Sequence, residues 1–269
     1  MSLVNRRSWI AGALAGAGAL AWSRTPVTEG ALRMGADRAL VDSGLARSLA
    51  RAFGRDTGIA VEVIGQPLLP LLEALAAGEY DAGLANAPGP VARLDTQGLV
   101  YDVHAIAQGE FMLVGPGAAT ARGRAAPPQH DIAAALAGLH AMAEQEPQSF
   151  VFLTAEDGSG EHFVEQSAWR AARVAPRAPW YQRAEPHAPL VTQARNRRAW
   201  AIVERGAWSA LGGAPLAVRV EGDATLGEEV QAMRSFHSPH PAAKIFIAWI
   251  SGGRGRAVVA AHRGYRAPH

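Results

Sequence analysis

Two short runs carry the residue types that hold a small polar ligand. Asp42-Ser43-Gly44 and Asp157-Gly158-Ser159-Gly160 each place an acid, a hydroxyl and a glycine just ahead of a stretch with helical periodicity. The first turn of a helix leaves backbone N–H groups unpaired and carries the positive end of the helix dipole, which suits an anion or a ligand oxygen. One such start says little, because every helix has one. Two of them, in separate lobes and each at a strand-to-helix turn, would face a common cleft. Glu156, Asp157, Glu161 and His162 are near enough in sequence to hold a cation if the imidazole is neutral. His237 and His240 sit between prolines with no acid or cysteine to complete a coordination set, so they read as an exposed turn. Ser159 lacks the G-x-S-x-G setting of a nucleophile elbow, and a Gly-Ser-Gly between strand and helix is more simply a helix start. There is no cysteine, hence no thiol nucleophile, no disulfide and no Cys-based zinc site. Neither catalysis nor a metal or other cofactor is expected.

The elements that must position these residues alternate between strand and helix. Leu45, Leu49, Ala50 and Phe53 recur at helical spacing with Arg47, Arg51 and Arg55 outside; Asp42 or Ser43 is the expected cap and Gly58 the stop. A strand over 59–64, a helix over 68–77, a short buried strand over 81–87 and an apolar run over 110–114 follow. Beyond Gly117–His130, rich in Ala, Gly, Pro and Arg, the pattern resumes with a helix from Asp131 to Gln145 and a strand over 150–153. A helix over 160–172, another over 189–198, strands over 199–203 and 216–220 and two C-terminal helices complete it. Strands spaced by helices argue an α/β fold with a mainly parallel sheet. If the strands near Phe111–Val114 and Ala217–Val220 cross between lobes, residues 30–116 with 218–269 make one lobe and 117–217 the other. A single continuous domain fits the periodicity equally.

The first 21 residues read as an export signal. Arg6-Arg7 precedes an apolar Gly/Ala-rich run, Ile10–Ala21, too short for a bilayer, where ~20 apolar residues are needed. The run ends in Ala19-Leu20-Ala21, a small-x-small cleavage pattern. The paired arginines resemble a twin-arginine signal, and a Sec signal that happens to carry them is the alternative. Net charge is +2, and Arg6 and Arg7 account for both charges, so the chain without its first 21 residues is formally neutral. That balance excludes a general basic surface for nucleic acid or anionic membrane.

In order and wording the chain resembles the periplasmic solute-binding component of tungstate ABC transporters. The stretches that carry the resemblance are Asp42–Leu45, Phe53–Val63, Gly78–Pro88, Phe111–Pro116, Asp157–His162, Trp180-Tyr181, Glu204–Gly206 and Val220–Asp223. The resemblance implies a two-lobed α/β periplasmic-binding-protein fold (class II), export to the periplasm and a monomer. It further implies capture of an oxyanion such as tungstate or molybdate for a membrane permease. Mapped onto this chain, the ligand positions are Asp37, Arg38, Ala39, Ser43, Asp157, Ser159, Gly160, Glu161 and His162. Here the family's hydroxyl-rich first loop is Ala36-Asp37-Arg38-Ala39, and its second-loop Arg and Thr are Ala155 and Glu161. An oxyanion needs donors, and charge-assisted donors are about twice as strong as neutral ones. Losing an arginine and gaining a carboxylate turns the local field against a dianion. The alternatives are therefore a different small solute, for which Trp180, Trp200 and Trp208 leave room, or a sensory or accessory binding role.

Overall fold

A computed structural model describes residues 30–117, 128–186 and 188–268. The expected export signal and most of the Ala/Gly/Pro-rich connection lie outside the described residues.

The first lobe grows from β1 (Leu32–Asp37), followed by α1 (Arg38–Asp42), α2 (Leu45–Thr57), β2 (Val61–Gln66), α3 (Leu68–Ala77), β3 (Ala82–Ala85) and α4 (Pro88–Thr96). β1 lies between β2 and β3 and is parallel to both. Then comes β4 (Val100–Pro116), a long strand that leaves this lobe for the next. There the chain forms α5 (Ile132–Gln145), β5 (Phe152–Thr154), α6 (Gly160–Ala171), β6 (Tyr181–Arg183), α7 (Leu190–Arg197), β7 (Ala201–Glu204), α8 (Arg205–Leu211) and β8 (Leu216–Val220). It returns through β9 (Gly227–Ser235), which lies antiparallel between β3 and β4, and ends in α9 (Ala242–Ser251) and α10 (Gly253–Ala260).

Each sheet buries both faces. In the first lobe Leu32, Met34 and Ala36 of β1 pack with Leu45, Leu49 and Phe53 of α2 and with Phe246 and Ile250 of α9. The opposite face holds Leu71, Leu75, Tyr80 and Met233. In the second, β6 and β5 run parallel, a bridge from Phe152 to Trp200 joins β7, and β4 then pairs antiparallel with β7 and β8. Trp169 and Trp180 are fully buried there against Phe152, so Trp180 is core and not cleft wall. Local chemistry sets the helix starts: Asp131 Oδ1 accepts from Ala134 N at 2.8 Å, and Ser159 Oγ accepts from His162 N at 3.2 Å.

Pairing also marks where the chain changes lobes. β4 pairs with β9 up to Glu110 and with β7 from Phe111 onward. Ala217 and Val218 of β8 still pair with Gly115 and Val114 of β4. β4 thus exchanges partners at Glu110/Phe111, and β8 stays paired with β4 through Val220. The cause is that one strand serves both sheets, which periodicity cannot reveal.

Arg205 sits where the two connections meet. Its guanidinium pairs with Glu110 on the outgoing strand and with Glu221 on the return. Gly222 N adds a hydrogen bond to Glu110 Oε2 at 3.1 Å. Hydrogen bonds to charged groups contribute about 1.5–3 kcal/mol each when partly buried. Arg205→Ala should lower unfolding free energy by about 2 kcal/mol in urea titrations. Arg205→Lys, which keeps the charge but not the fork, should recover less than half of that.

Candidate functional site

Ends of strands converge between the lobes. Asp37 closes β1, Asn86 follows β3, Ala155–Ser159 follow β5, Ala184 and Glu185 follow β6, and Glu204 closes β7. These are the carboxyl ends of the parallel strands in both sheets, the edge where α/β proteins hold ligands. They bring the start of α6 against the start of α1.

At that junction a side chain of one lobe takes an amide of the other. Asp37 is fully buried; its Oδ1 accepts from Ala39 N at 3.0 Å within α1, and its Oδ2 accepts from Gly160 N at 3.2 Å across the cleft. The other donors around the α6 start are also engaged. Ser159 N reaches Asp157 Oδ1 at 3.0 Å, His162 N reaches Ser159 Oγ, and Gly158 N reaches His162 Nδ1 at 3.2 Å. Close approach requires glycine at two positions. A Cβ on Gly160 would lie 2.1 Å from Asn86 Oδ1, and Gly158, at φ +70°, lies against Leu69, whose N–H bonds its carbonyl at 3.3 Å.

Beside this contact is a cavity of about 30 Å³, room for one or two waters. Arg38, Asp42, Asp157, Glu161 and Glu185 line it, one cation against four carboxyl groups. Arg38 Nε is buried without a partner among the described residues. Burial raises the Asp37 carboxyl from 3.8 to about 7, against the pull of the Ala39 and Gly160 amides. Burial, reinforced by Asp37, pushes Glu161 well above the carboxylate range. Burial also lowers His162, whose Nδ1 accepts a hydrogen bond and so belongs to a neutral ring.

Ser43 stands apart from this arrangement. It was expected to open the helix after it, but it caps the end of α1, and Gly44 precedes α2. Its Oγ donates to Leu40 O at 3.1 Å and accepts from Leu45 N at 3.3 Å and Tyr265 Oη at 3.0 Å. The hydroxyl is spent on the C-terminal segment because α1 intervenes, and Asp37 takes the facing position. Arg38, Asp157 and Glu161 reach the cavity; Ala39 contributes its amide to Asp37, and Ser159, Gly160 and His162 build the α6 start. Glu156, Asp157, Glu161 and His162 form no metal cage: among the described residues no group of three or more His, Asp and Glu is arranged to hold a metal. Glu156 is exposed and faces Arg183 instead.

Sequence reasoning missed a second acidic tier behind Asp37. Glu204 caps α8 through Gly206 N and Ala207 N at 2.5 and 2.6 Å, and Glu228 accepts from Asn86 Nδ2 at 2.8 Å. Both are buried, and desolvation raises both, each reinforced by neighbouring carboxyls. The available signal was Asp or Glu at positions otherwise surrounded by apolar strand residues.

No protein-family model matches the chain, and no curated protein matches it in sequence. Solved structures do. The tungstate ABC transporter from Geobacter sulfurreducens aligns over 87% of this chain and 99% of its own at 25% identity, with a TM-score of 0.68. The chain has the two-lobed periplasmic-binding-protein fold. Similar to it as well are the tungstate binding protein TupA from Desulfovibrio alaskensis and the periplasmic molybdate-binding protein of Azotobacter vinelandii. The first aligns at 21% identity over 88% and 98% of the two chains, TM-score 0.65. The second aligns at 16% over 88% and 100%, TM-score 0.56. These are neighbours of the kind the sequence resemblance names, and at such identities they carry the fold alone.

Within this binding-protein fold the acidic cleft makes stability depend on pH. A carboxyl whose native pKa lies above its unfolded value binds more protons in the native state, so stability falls as pH rises between the two. For Asp37 that window runs from 3.8 to about 7, and Glu165, buried in the second lobe, rises to about 7 likewise. The thermal midpoint of residues 22–269 should therefore fall between pH 5 and pH 8, and Asp37→Asn should flatten the slope. A midpoint that rises across that range contradicts the acidic-cleft electrostatics.

Proposed function

We propose that the chain is an extracytoplasmic solute-binding protein that captures a small solute between its lobes and delivers it to an ABC permease. Support comes from the two-lobed fold, its binding-protein neighbours and the convergence of strand ends from both lobes on the α6 start. The observation that carries the ligand assignment is the Asp37–Gly160 hydrogen bond beside a cavity with four carboxyl groups and one guanidinium. That field favours a solute bearing positive charge or several hydrogen-bond donors over a tetrahedral dianion. Asp37, Arg38, Asp157, Gly160 and Glu161 are the proposed contacts. The preceding signal, read from 1–21, accounts for a periplasmic location.

A second reading, tungstate or molybdate as ligand, draws on the structural neighbours and on the partnerless Arg38 Nε. In it the oxyanion must displace Asp37 from Gly160 N and stand against the carboxyls around it. Calorimetry separates the two. The purified protein should give no saturable heat with tungstate, molybdate, sulfate or phosphate at pH 8, and a response to a member of a panel of small amines, amino acids and cations. Asp37→Ser, which restores a hydroxyl and removes a charge, should improve tungstate binding by about tenfold or more. Tight tungstate binding by the unaltered protein overturns the ligand assignment and leaves solute capture standing. Silence toward every solute, with the fold intact, counts against capture itself.

A further inference from the structure

A concavity on the second lobe shares no lining residue with the cleft. It has a volume of about 400 Å³, inside the range of about 300–1,000 Å³ usual for small-molecule pockets. Its long wall is one stripe of α5, where Ala134, Gly138 and Met142 recur at four-residue intervals and so stack along one face. A Cβ at Gly138 would meet no atom within 4 Å, so the missing side chain is open volume and not tight packing. Trp200 closes another side and is stacked on Phe150 with centroids 6.0 Å apart and planes 12° from parallel.

Among the described residues one charged side chain lines this pocket, Arg219 of β8. Its guanidinium carbon lies 5.6 Å from the Trp200 ring centroid, while Nη1 is buried and has no hydrogen-bond partner among the described residues. An arginine nitrogen removed from water and left without an acceptor is unfavourable, and the acceptor that suits its planar fork is a carboxylate. Among the described residues no acidic side chain lines the pocket to supply one. The neighbouring backbone is already used: Gln129 N bonds Arg219 O at 2.8 Å and Glu221 N bonds Gln129 O at 3.0 Å.

We propose that this pocket binds a small amphipathic carboxylate, with its hydrocarbon chain along Ala134, Gly138 and Met142 and its headgroup on Arg219. The site is independent of the interlobe cleft and of whatever solute the cleft takes. Charge selects the head, apolar area the tail, so a short acid or an uncharged alcohol of equal length satisfies only half of it.

Isothermal titration of the purified protein with octanoate, octanol and acetate, all below their aggregation concentrations, tests the assignment. Octanoate should bind saturably at one site, and octanol and acetate about tenfold or more weakly. Arg219→Gln should weaken octanoate by about tenfold or more while leaving octanol unchanged. Gly138→Leu, which fills the open volume with a better helix former, should abolish octanoate binding without lowering the thermal midpoint. Absence of saturable binding, octanol binding as tightly as octanoate, or undiminished octanoate binding in either folded variant overturns the proposal. The last of these outcomes would assign octanoate to another surface.

Discussion

A single hydrogen bond, Asp37 Oδ2 with Gly160 N, governs how this cleft can work. In the folds it resembles, the start of a helix facing the cleft is the natural seat of a ligand oxygen. Here a carboxyl from the opposite lobe has that seat. Two tendencies oppose each other at Asp37. Removal from water disfavours its charge, while two amides and the α6 dipole favour it, and burial is the larger. The group is consequently poised near neutrality, where it can act as acceptor toward Gly160 in either protonation state through one oxygen. A ligand that seeks the α6 amides competes with an intramolecular partner already held in place by α1. Differential affinity is what shifts a conformational equilibrium, so a solute must do better than Asp37 to change how the lobes sit.

Behind Asp37 the same logic extends to the point where the lobes join. Glu204 caps α8, Glu228 near the start of β9 holds Asn86, and Tyr265 from the C-terminal segment bonds Ser43. Tyr265 also fills the space left by Gly109 on the crossing strand and by Gly206 on α8. Carboxyls placed this close and this deep cannot all ionise, and each raises the others. Protons thus substitute for counter-ions in the interior, while on the outer side Arg205 supplies the counter-charge for Glu110 and Glu221. The junction is held by neutral acids within and an ion pair at the rim.

Much of the frame was legible from residue order. α3, α5, α6, α7 and β8 lie where periodicity and caps predict them, because each presents an unbroken apolar stripe and a definite start or stop. β9 was not, and the reason is physical. Its buried positions include Glu228 as well as Val230, Ala232 and Met233, and a carboxyl in the inward register erases the alternation that identifies a strand. Residues 100–109 of β4 failed for a related cause, since the register with β9 shifts between Tyr101 and His104 and again between Ala105 and Ala107, and each shift breaks the alternation. In the cleft, the α6 start follows from Gly-Ser-Gly alone. Its partner does not: α1 spans only Arg38–Asp42, and a one-turn helix leaves no periodic trace, so the pattern points to Ser43 for a position that Asp37 holds.

That exchange of Asp37 for Ser43 also explains why loop composition is informative where motif order is not. Order and spacing preserve the strand ends and helix starts, which is why the overall resemblance survives at low identity. Selectivity depends on the few atoms at the junction, and there Ala36-Asp37-Arg38-Ala39 removes every hydroxyl while adding an acid to a cleft already holding Glu161. Had Asp37 been offset by Arg38, the pair would be neutral toward an anion. Yet Arg38 Nε is buried without a hydrogen-bond partner among the described residues, so that nitrogen is open to an acceptor. The cavity is therefore lined by four carboxyl groups, Asp42, Asp157, Glu161 and Glu185, with Arg38 as the one cation among its described lining residues. Frame and field are thus specified by different residues, and likeness to oxyanion binders in the first leaves the second to be set by the loop at Ala36–Ala39 and the α6 start.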